Sequence, residues 1–216
     1  MNKKQLFLWS LYDFANSIVY INFVLYFAVW VVVDAGLSDF WYNAIFAITT
    51  VILLFTAPIL AARTDLHGGR KYWLNITTIG TFIFYGLVAI LAGMNSSVLL
   101  IAFLFLIGQY FYQLSFVFYN PMLDDIADET NKSRVSGIGN FSSSLGFVVG
   151  ILITFPFASS RITPLLISVP VFFVLALPMM IFFKESKKPI DEINLPKTQG
   201  EIKTSIKKMI AFFAMS

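Results

Sequence analysis

Residues 6–33 read LFLWSLYDFANSIVYINFVLYFAVWVVV, a long apolar run interrupted by a single charge, Asp13. A helix needs about 20 mostly apolar residues to cross a hydrocarbon core of roughly 30 Å, and this run exceeds that. Met1 to Gln5 followed by such a run superficially resembles a secretory signal. The run is too long for one, however, carries Asp13, and is followed by no small-residue cleavage site. It reads as a first transmembrane helix.

The pattern repeats outward from there. Apolar blocks follow at 40–62, 72–93, 98–119, 135–158 and 163–183. The links between them are short and polar: an acidic one with Asp34, Gly36 and Asp39; RTDLHGGRK at 63–71, a tight turn with two glycines; residues 94–97; and Pro121 with LDDIADETNKSR at 123–134. The chain is 58% hydrophobic and 12% charged, against about 25% charged in soluble domains, so the bilayer is the solvent for most of it. The expected fold is an all-α membrane protein, a six-transmembrane-helix bundle over 1–183. A basic hydrophilic linker is expected over 184–208. Residues 209–216 read as the start of a seventh helix, as if the sequence were a fragment cut inside it. Within that stretch Ile202, Ile206, Met209, Ile210 and Phe213 oppose Lys203 and Lys207, a pattern that suits either the inner leaflet or a lead-in to the next helix.

Charge placement predicts orientation. Lysine and arginine in short loops stay on the cytoplasmic side. With the N-terminus inside, 14 of the 15 basic residues are cytoplasmic and only Arg161 is outside. The basic residues sit in short clusters between apolar blocks, not on one face with interleaved aromatics, which argues against nucleic acid despite the net charge of +3. With no cysteine and one histidine, His67, the chain offers no disulfide, thiolate site or evident metal-ligand cluster. No cofactor is expected. His67 is assigned no role.

Several polar residues lie inside the apolar blocks. Trp9, Asp13, Asn16, Ser17 and Tyr20 share one helical face. A mid-membrane aspartate costs about 2.5–3.5 kcal/mol on insertion scales, so such a stripe faces the bundle interior, a partner or water. Asp13 is therefore the leading candidate for a proton or substrate path. The alternative is a packing contact near the cytoplasmic end of the helix. Gln109, Gln113 and Asn120, beside Tyr110, Tyr112 and Tyr119, form a second stripe that either lines a solute path or makes interhelical hydrogen bonds. Ser142, Gly146, Gly150 and Thr154, at i+4 spacing, predict close helix packing, and Pro164, Pro170 and Pro178 favour kinks in the sixth helix.

Taken together, six helices, a basic linker and a new helix resemble the first half of a major facilitator superfamily transporter. The turn AARTDLHGGRK at 61–71 is similar to that superfamily's signature between its second and third helices. Asp65, Gly68, Arg70 and Lys71 match; Ala61, Leu66 and Gly69 depart from it. LYDFANS at 11–17 and NPMLDDIADETNKSRVSGIG at 120–139 resemble the vacuolar amino acid effluxer branch associated with autophagy and its bacterial relatives. The resemblance implies a secondary active transporter of a small solute, with amino acid efflux as the finer expectation and an integral membrane location, bacterial inner membrane or vacuole. It implies a solute site bounded by a C-terminal six-helix half, with Asp13, Asn16, Tyr20, Gln109 and Gln113 on the path. It also implies a cytoplasmic gate of Asp65, Gly68, Arg70 and Lys71, with Asp124, Asp125 and Arg134 contributing. Turn formation and topology would account for the same charges. A non-transporting receptor or assembly protein on the same bundle is the alternative. An enzyme is not expected, since no histidine pair, nucleophile with a base, or phosphate-binding loop is present.

Overall fold

The computed structural model describes residues 2–185. The linker and the seventh-helix start expected over 184–208 and 209–216 therefore lie, apart from Lys184 and Glu185, outside the described residues. The described part is six long helices joined by short turns, each long and apolar enough to cross a membrane.

Helix α1 (Lys3–Asn22) begins where the side chain of Asn2 accepts hydrogen bonds from the amides of Lys4 and Gln5, at 3.1 and 3.3 Å. Such a cap supplies an acceptor for amides that have no partner within the helix. Past Asn22 the span continues through two widened π turns, Phe23–Phe27 and Trp30–Asp34. The remaining helices are α2 (Asp39–His67), α3 (Arg70–Gly93), α4 (Val98–Tyr119), α5 (Lys132–Thr154) and α6 (Thr163–Phe182). Single 3-10 turns, Asn120–Asp125 and Phe155–Phe157, extend α4 and α5.

Two boundaries differ from the sequence reading. Residues 63–67 belong to α2 and not to the turn, which is reduced to Gly68 and Gly69. Polarity alone does not end a helix. The chain breaks only where Gly68 and Gly69 take φ of 72° and 86°, a region that side chains with a Cβ rarely adopt. At α5 the helix starts at Lys132, three residues before the apolar run. In α6, Pro164 occupies the first turn, where no amide is needed, and the helix runs on through Pro170 and Pro178.

Packing is pairwise: α1 lies against α5 and α6, α3 against α4 and α6, and α2 against α4. Exchanging α1, α2 and α3 with α4, α5 and α6 maps this scheme onto itself, the pattern of an internal three-helix repeat. Phe23, Phe27, Tyr85 and Phe105 stack at the centre, with Phe23–Tyr85 centroids 4.0 Å apart and Phe27–Phe105 4.5 Å. Helix α2 is peripheral. Only Ile45, Thr49 and Thr64 of it are buried, and it presents Val51, Leu54, Phe55 and Ile59 outward, as suits contact with lipid.

The small-residue ridge of α5 lies directly on α1. A Cβ added at Gly146 would sit 2.4 Å from the Phe14 carbonyl oxygen, and one at Gly150 3.0 Å from Ile18 Cα. Ser142 Oγ donates to the Ser10 carbonyl at 2.7 Å, and the Ser17 and Ser143 hydroxyls share a hydrogen bond of 2.7 Å.

Contacts at the helix termini show which ends meet. Gln5, Lys71 and the end of α6 come together on one side of the bundle; Arg161 pairs with Asp34 on the other, at 2.5 Å.

Candidate solute path and gate

Between α1, the end of α4 and the start of α5 lies a cavity of about 400 Å³. Among the described residues Asp13 is its one charged lining residue; Asn120, Ser136, Asn140 and Ser143 supply amides and hydroxyls, and Trp9, Tyr119 and Leu123 line it as well. Two helices hold Trp9, one turn before Asp13, in place. On one side Trp9 and Tyr119 stack almost parallel, centroids 4.9 Å apart, and exchange hydrogen bonds: Tyr119 Oη donates to the Trp9 carbonyl at 2.9 Å, and Trp9 Nε1 to the Tyr119 carbonyl at 3.4 Å. On the other side Gly139 of α5 abuts the indole, where a Cβ would approach Trp9 to 2.5 Å. Trp9 is thus a fixed floor, and the carboxylate one turn further along α1 faces a polar void.

Of the other path candidates, Asn16 and Gln109 are more deeply buried than Asp13. Asn16 is buried; its Nδ2 donates to the Tyr12 carbonyl at 2.9 Å, and its Oδ1 has no hydrogen-bond partner among the described residues. A buried acceptor of that kind ordinarily has a partner, protein or water. Tyr20 stacks on Tyr112 at 5.7 Å, and Tyr112 on Tyr85 at 6.1 Å. Gln109 is buried and accepts the Tyr85 hydroxyl at 2.6 Å, while Gln113, one turn on, is half-buried. Of the five candidates Asp13 alone lines this cavity, and Gln109 Oε1 is engaged by Tyr85 within the core.

The sequence reading did not single out Tyr12, Thr78 or Tyr85. Tyr12 and Thr78 share a buried hydrogen bond of 2.7 Å between α1 and α3, and the Tyr85 hydroxyl donates to Gln109. Thr78, Thr81 and Tyr85 recur at i, i+3 and i+7 on one buried face of α3, a signal that reading passed over. Ser136, Asn140 and Ser143 recur at i+4 and i+7 on α5 beside the glycines, and that spacing could have found them.

The gate residues lie around the α2–α3 turn. Arg70 Nη2 and Asp65 Oδ1 form an ion pair of 2.5 Å, with Arg70 largely covered and Asp65 exposed. Gly68 and Gly69 make the turn between them. Lys71 Nζ donates to the carbonyls of Ile181 and Phe183 at 2.9 and 2.8 Å. Asp124 pairs with Lys132 at 2.6 Å across the α4–α5 connection, Asp125 closes the same 3-10 turn, and Arg134 is exposed on the first turn of α5. His67 Nδ1 lies 3.2 Å from the Arg63 carbonyl at the end of α2. The sequence reading did not single out Glu185. Its carboxylate accepts the amides of Gly69 and Arg70, each at 3.0 Å, and of Lys71 at 3.2 Å.

In comparisons with known proteins, a family model described as the Major Facilitator Superfamily matches residues 6–215. No curated protein and no solved structure matches the chain.

Proposed function

The chain belongs to the Major Facilitator Superfamily and is a multi-pass membrane transporter of a solute; from that premise we propose that it moves a small amino acid by alternating access, in the direction of export. The observation that carries this reading is the cavity in which Asp13 is the sole charge, among the described residues, beside amides and hydroxyls. Such a wall can hold an ammonium group through the carboxylate and a carboxylate group through Asn120, Asn140 and the serine hydroxyls. Residues 11–17 and 120–139, which carry the resemblance to amino acid effluxers, contribute Asp13, Asn120, Leu123 and Ser136 to this wall.

In the proposed mechanism the six helices rock against a second six-helix half, with the solute between them near the midplane. Asn16, with its buried unpartnered Oδ1, and Tyr20 lie further along α1 and take over the solute or a proton from Asp13. Asp65 and Arg70, with Gly68 and Lys71 shaping the turn, latch the cytoplasmic end; Asp124, Asp125 and Arg134 belong to the same face. The N-terminus is cytoplasmic, supported by the gathering of Lys3, Lys4, Arg63, Arg70, Lys71, Lys132 and Arg134 towards one end of the bundle and of Arg161 at the other.

Counterflow in proteoliposomes tests this. The proteoliposomes are loaded with unlabelled amino acids and challenged with each radiolabelled amino acid, with vesicles loaded with and challenged by glucose or citrate as controls. Saturable exchange of a subset of amino acids supports the reading. Exchange of a control solute alone would reject the substrate class, and no exchange of any solute would favour a receptor or assembly role.

A further inference from the structure

Helices α3 and α6 each lack a terminal cap of their own. At the start of α3 the N-cap residue is Gly69, with no side chain to accept a hydrogen bond, and the first turn holds no acidic residue. It holds instead Arg70 and Lys71, whose charges oppose the positive end of the helix dipole. At the end of α6 the last turn holds no basic residue.

Each helix receives its missing cap from the other. Glu185, two residues past Phe183, reaches back so that Oε1 accepts the amides of Gly69 and Arg70 and Oε2 that of Lys71. Lys71 reaches the opposite way to the carbonyls of Ile181 and Phe183. Asn75 Nδ2 extends the seam to the Met180 carbonyl at 3.3 Å, and Gln5 Oε1 accepts the Lys184 amide at 3.0 Å, tying the start of α1 to the same knot. Five hydrogen bonds between 2.8 and 3.2 Å thus join the α2–α3 turn to the exit of α6.

We propose that Glu185 is a positioning residue for the gate: by clasping the amides of residues 69–71 it fixes the Gly68–Gly69 turn and so the Asp65–Arg70 pair, making that turn and the end of α6 move as one body. The argument rests on the gate reading given above. Glycines 68 and 69 provide no conformational restraint of their own, since both occupy positive φ without strain. Besides the Gly68 amide on the Thr64 carbonyl and the Trp73 amide on the Gly69 carbonyl, what holds the turn is the carboxylate that engages the three amides following Gly68. The consequence is directional. A displacement of the residues after α6, where the lysine-rich stretch 184–208 begins, is passed to the gate without any contact to solute.

Two measurements on the membrane-inserted protein test this. Hydrogen exchange reads the amides of residues 69–71, and the rate at which an impermeant maleimide labels Ser136→Cys, in a background without other cysteines, reads access to the Asp13 cavity. Glu185→Ala should speed exchange of those amides at least tenfold and change labelling in the same direction as Asp65→Asn, which breaks the gate itself. Glu185→Gln keeps one acceptor and should fall between wild type and alanine in both readouts; it also serves if the alanine variant inserts poorly. Faster exchange with unchanged labelling would reduce Glu185 to a structural cap and overturn the proposal. Unchanged exchange would overturn the clasp. If Asp65→Asn leaves labelling unaltered, the gate reading fails and the inference with it; if Asp65→Asn alters labelling and Glu185→Ala does not, only the inference fails.

Discussion

Replacing Gly146 by alanine puts a methyl group where the α5 backbone lies against the backbone of α1. The added Cβ would lie 2.4 Å from the Phe14 carbonyl oxygen, 2.8 Å from Ser17 Cβ and 3.1 Å from the Phe14 carbonyl carbon. A carbon–oxygen contact needs about 3.3 Å or more, and a carbonyl inside a helix has no rotamer to change. The helices must separate by roughly 1 Å, which also stretches the Ser142–Ser10 and Ser17–Ser143 hydrogen bonds, both 2.7 Å long, beyond useful range. Overpacking costs about 1–3 kcal/mol, and two interhelical hydrogen bonds in a membrane add about 0.6 kcal/mol each. The expected loss is therefore about 2–4 kcal/mol, or about 5–15 °C in melting midpoint for a bundle of this size. Gly137→Ala is the matched control: it lies on the same helix, its Cβ would meet nothing within 4 Å, and alanine is worth up to about 1 kcal/mol over glycine within a helix. Thermal denaturation of the detergent-solubilised protein, followed by the monodisperse fraction on size-exclusion chromatography, separates the two. Equal midpoints for Gly146→Ala and wild type, or equal losses for both variants, would refute the close-packing argument.

Topology is checked in the cysteine-free sequence: single cysteines at Ser97 and Ser133 should react with an impermeant maleimide from opposite faces of the membrane, and labelling from one face contradicts the six-crossing arrangement. Tyr119→Phe removes the hydroxyl that donates to the Trp9 carbonyl while keeping the ring stack; a loss of about 0.5–1.5 kcal/mol in unfolding free energy is expected, and none would mean the hydrogen bond contributes nothing. In the α4–α5 connection the Thr130 hydroxyl, with the amides of Thr130 and Asn131, holds the Asp128 carboxyl below its usual range. Because the folded value is depressed, this stabilisation is complete at neutral pH and is lost as pH falls through the carboxylate range. Asp128→Ala should accordingly speed cleavage after Glu129 by a Glu-specific protease, and an unchanged rate contradicts the role of the turn.

Much of the architecture was legible because a bilayer imposes a strong constraint: apolar runs of fixed length mark helices whatever they pack against. The ridge Ser142, Gly146, Gly150 and Thr154 was legible for a similar reason, since small residues at i+4 spacing mean close approach on any partner. What the ridge packs against was not, and the partner proves to be α1. The extent of α2 was misjudged because charged residues at 63–67 look like a loop, although a helix ends on backbone geometry, here at Gly68, and not on polarity. Asp13 stands out in the sequence as a charge among apolar neighbours, and it lines the cavity. Gln109 stands out equally, but that the Tyr85 hydroxyl donates to its Oε1 is a pairing between α3 and α4 that no local spacing encodes. Glu185 escaped notice for the same reason: its partners lie more than a hundred residues away in sequence.

The most direct test of the transport account is the rate of solute exchange by Asp13→Asn beside wild type, in proteoliposomes containing equal amounts of correctly inserted protein. Asparagine keeps the side-chain shape and removes the charge that Asp13 brings to the cavity. The account predicts saturable exchange by wild type, slowed at least tenfold in Asp13→Asn, with an altered pH dependence. Exchange by Asp13→Asn at the wild-type rate and with the wild-type pH profile would contradict it and leave Asp13 a packing residue between α1 and its neighbours.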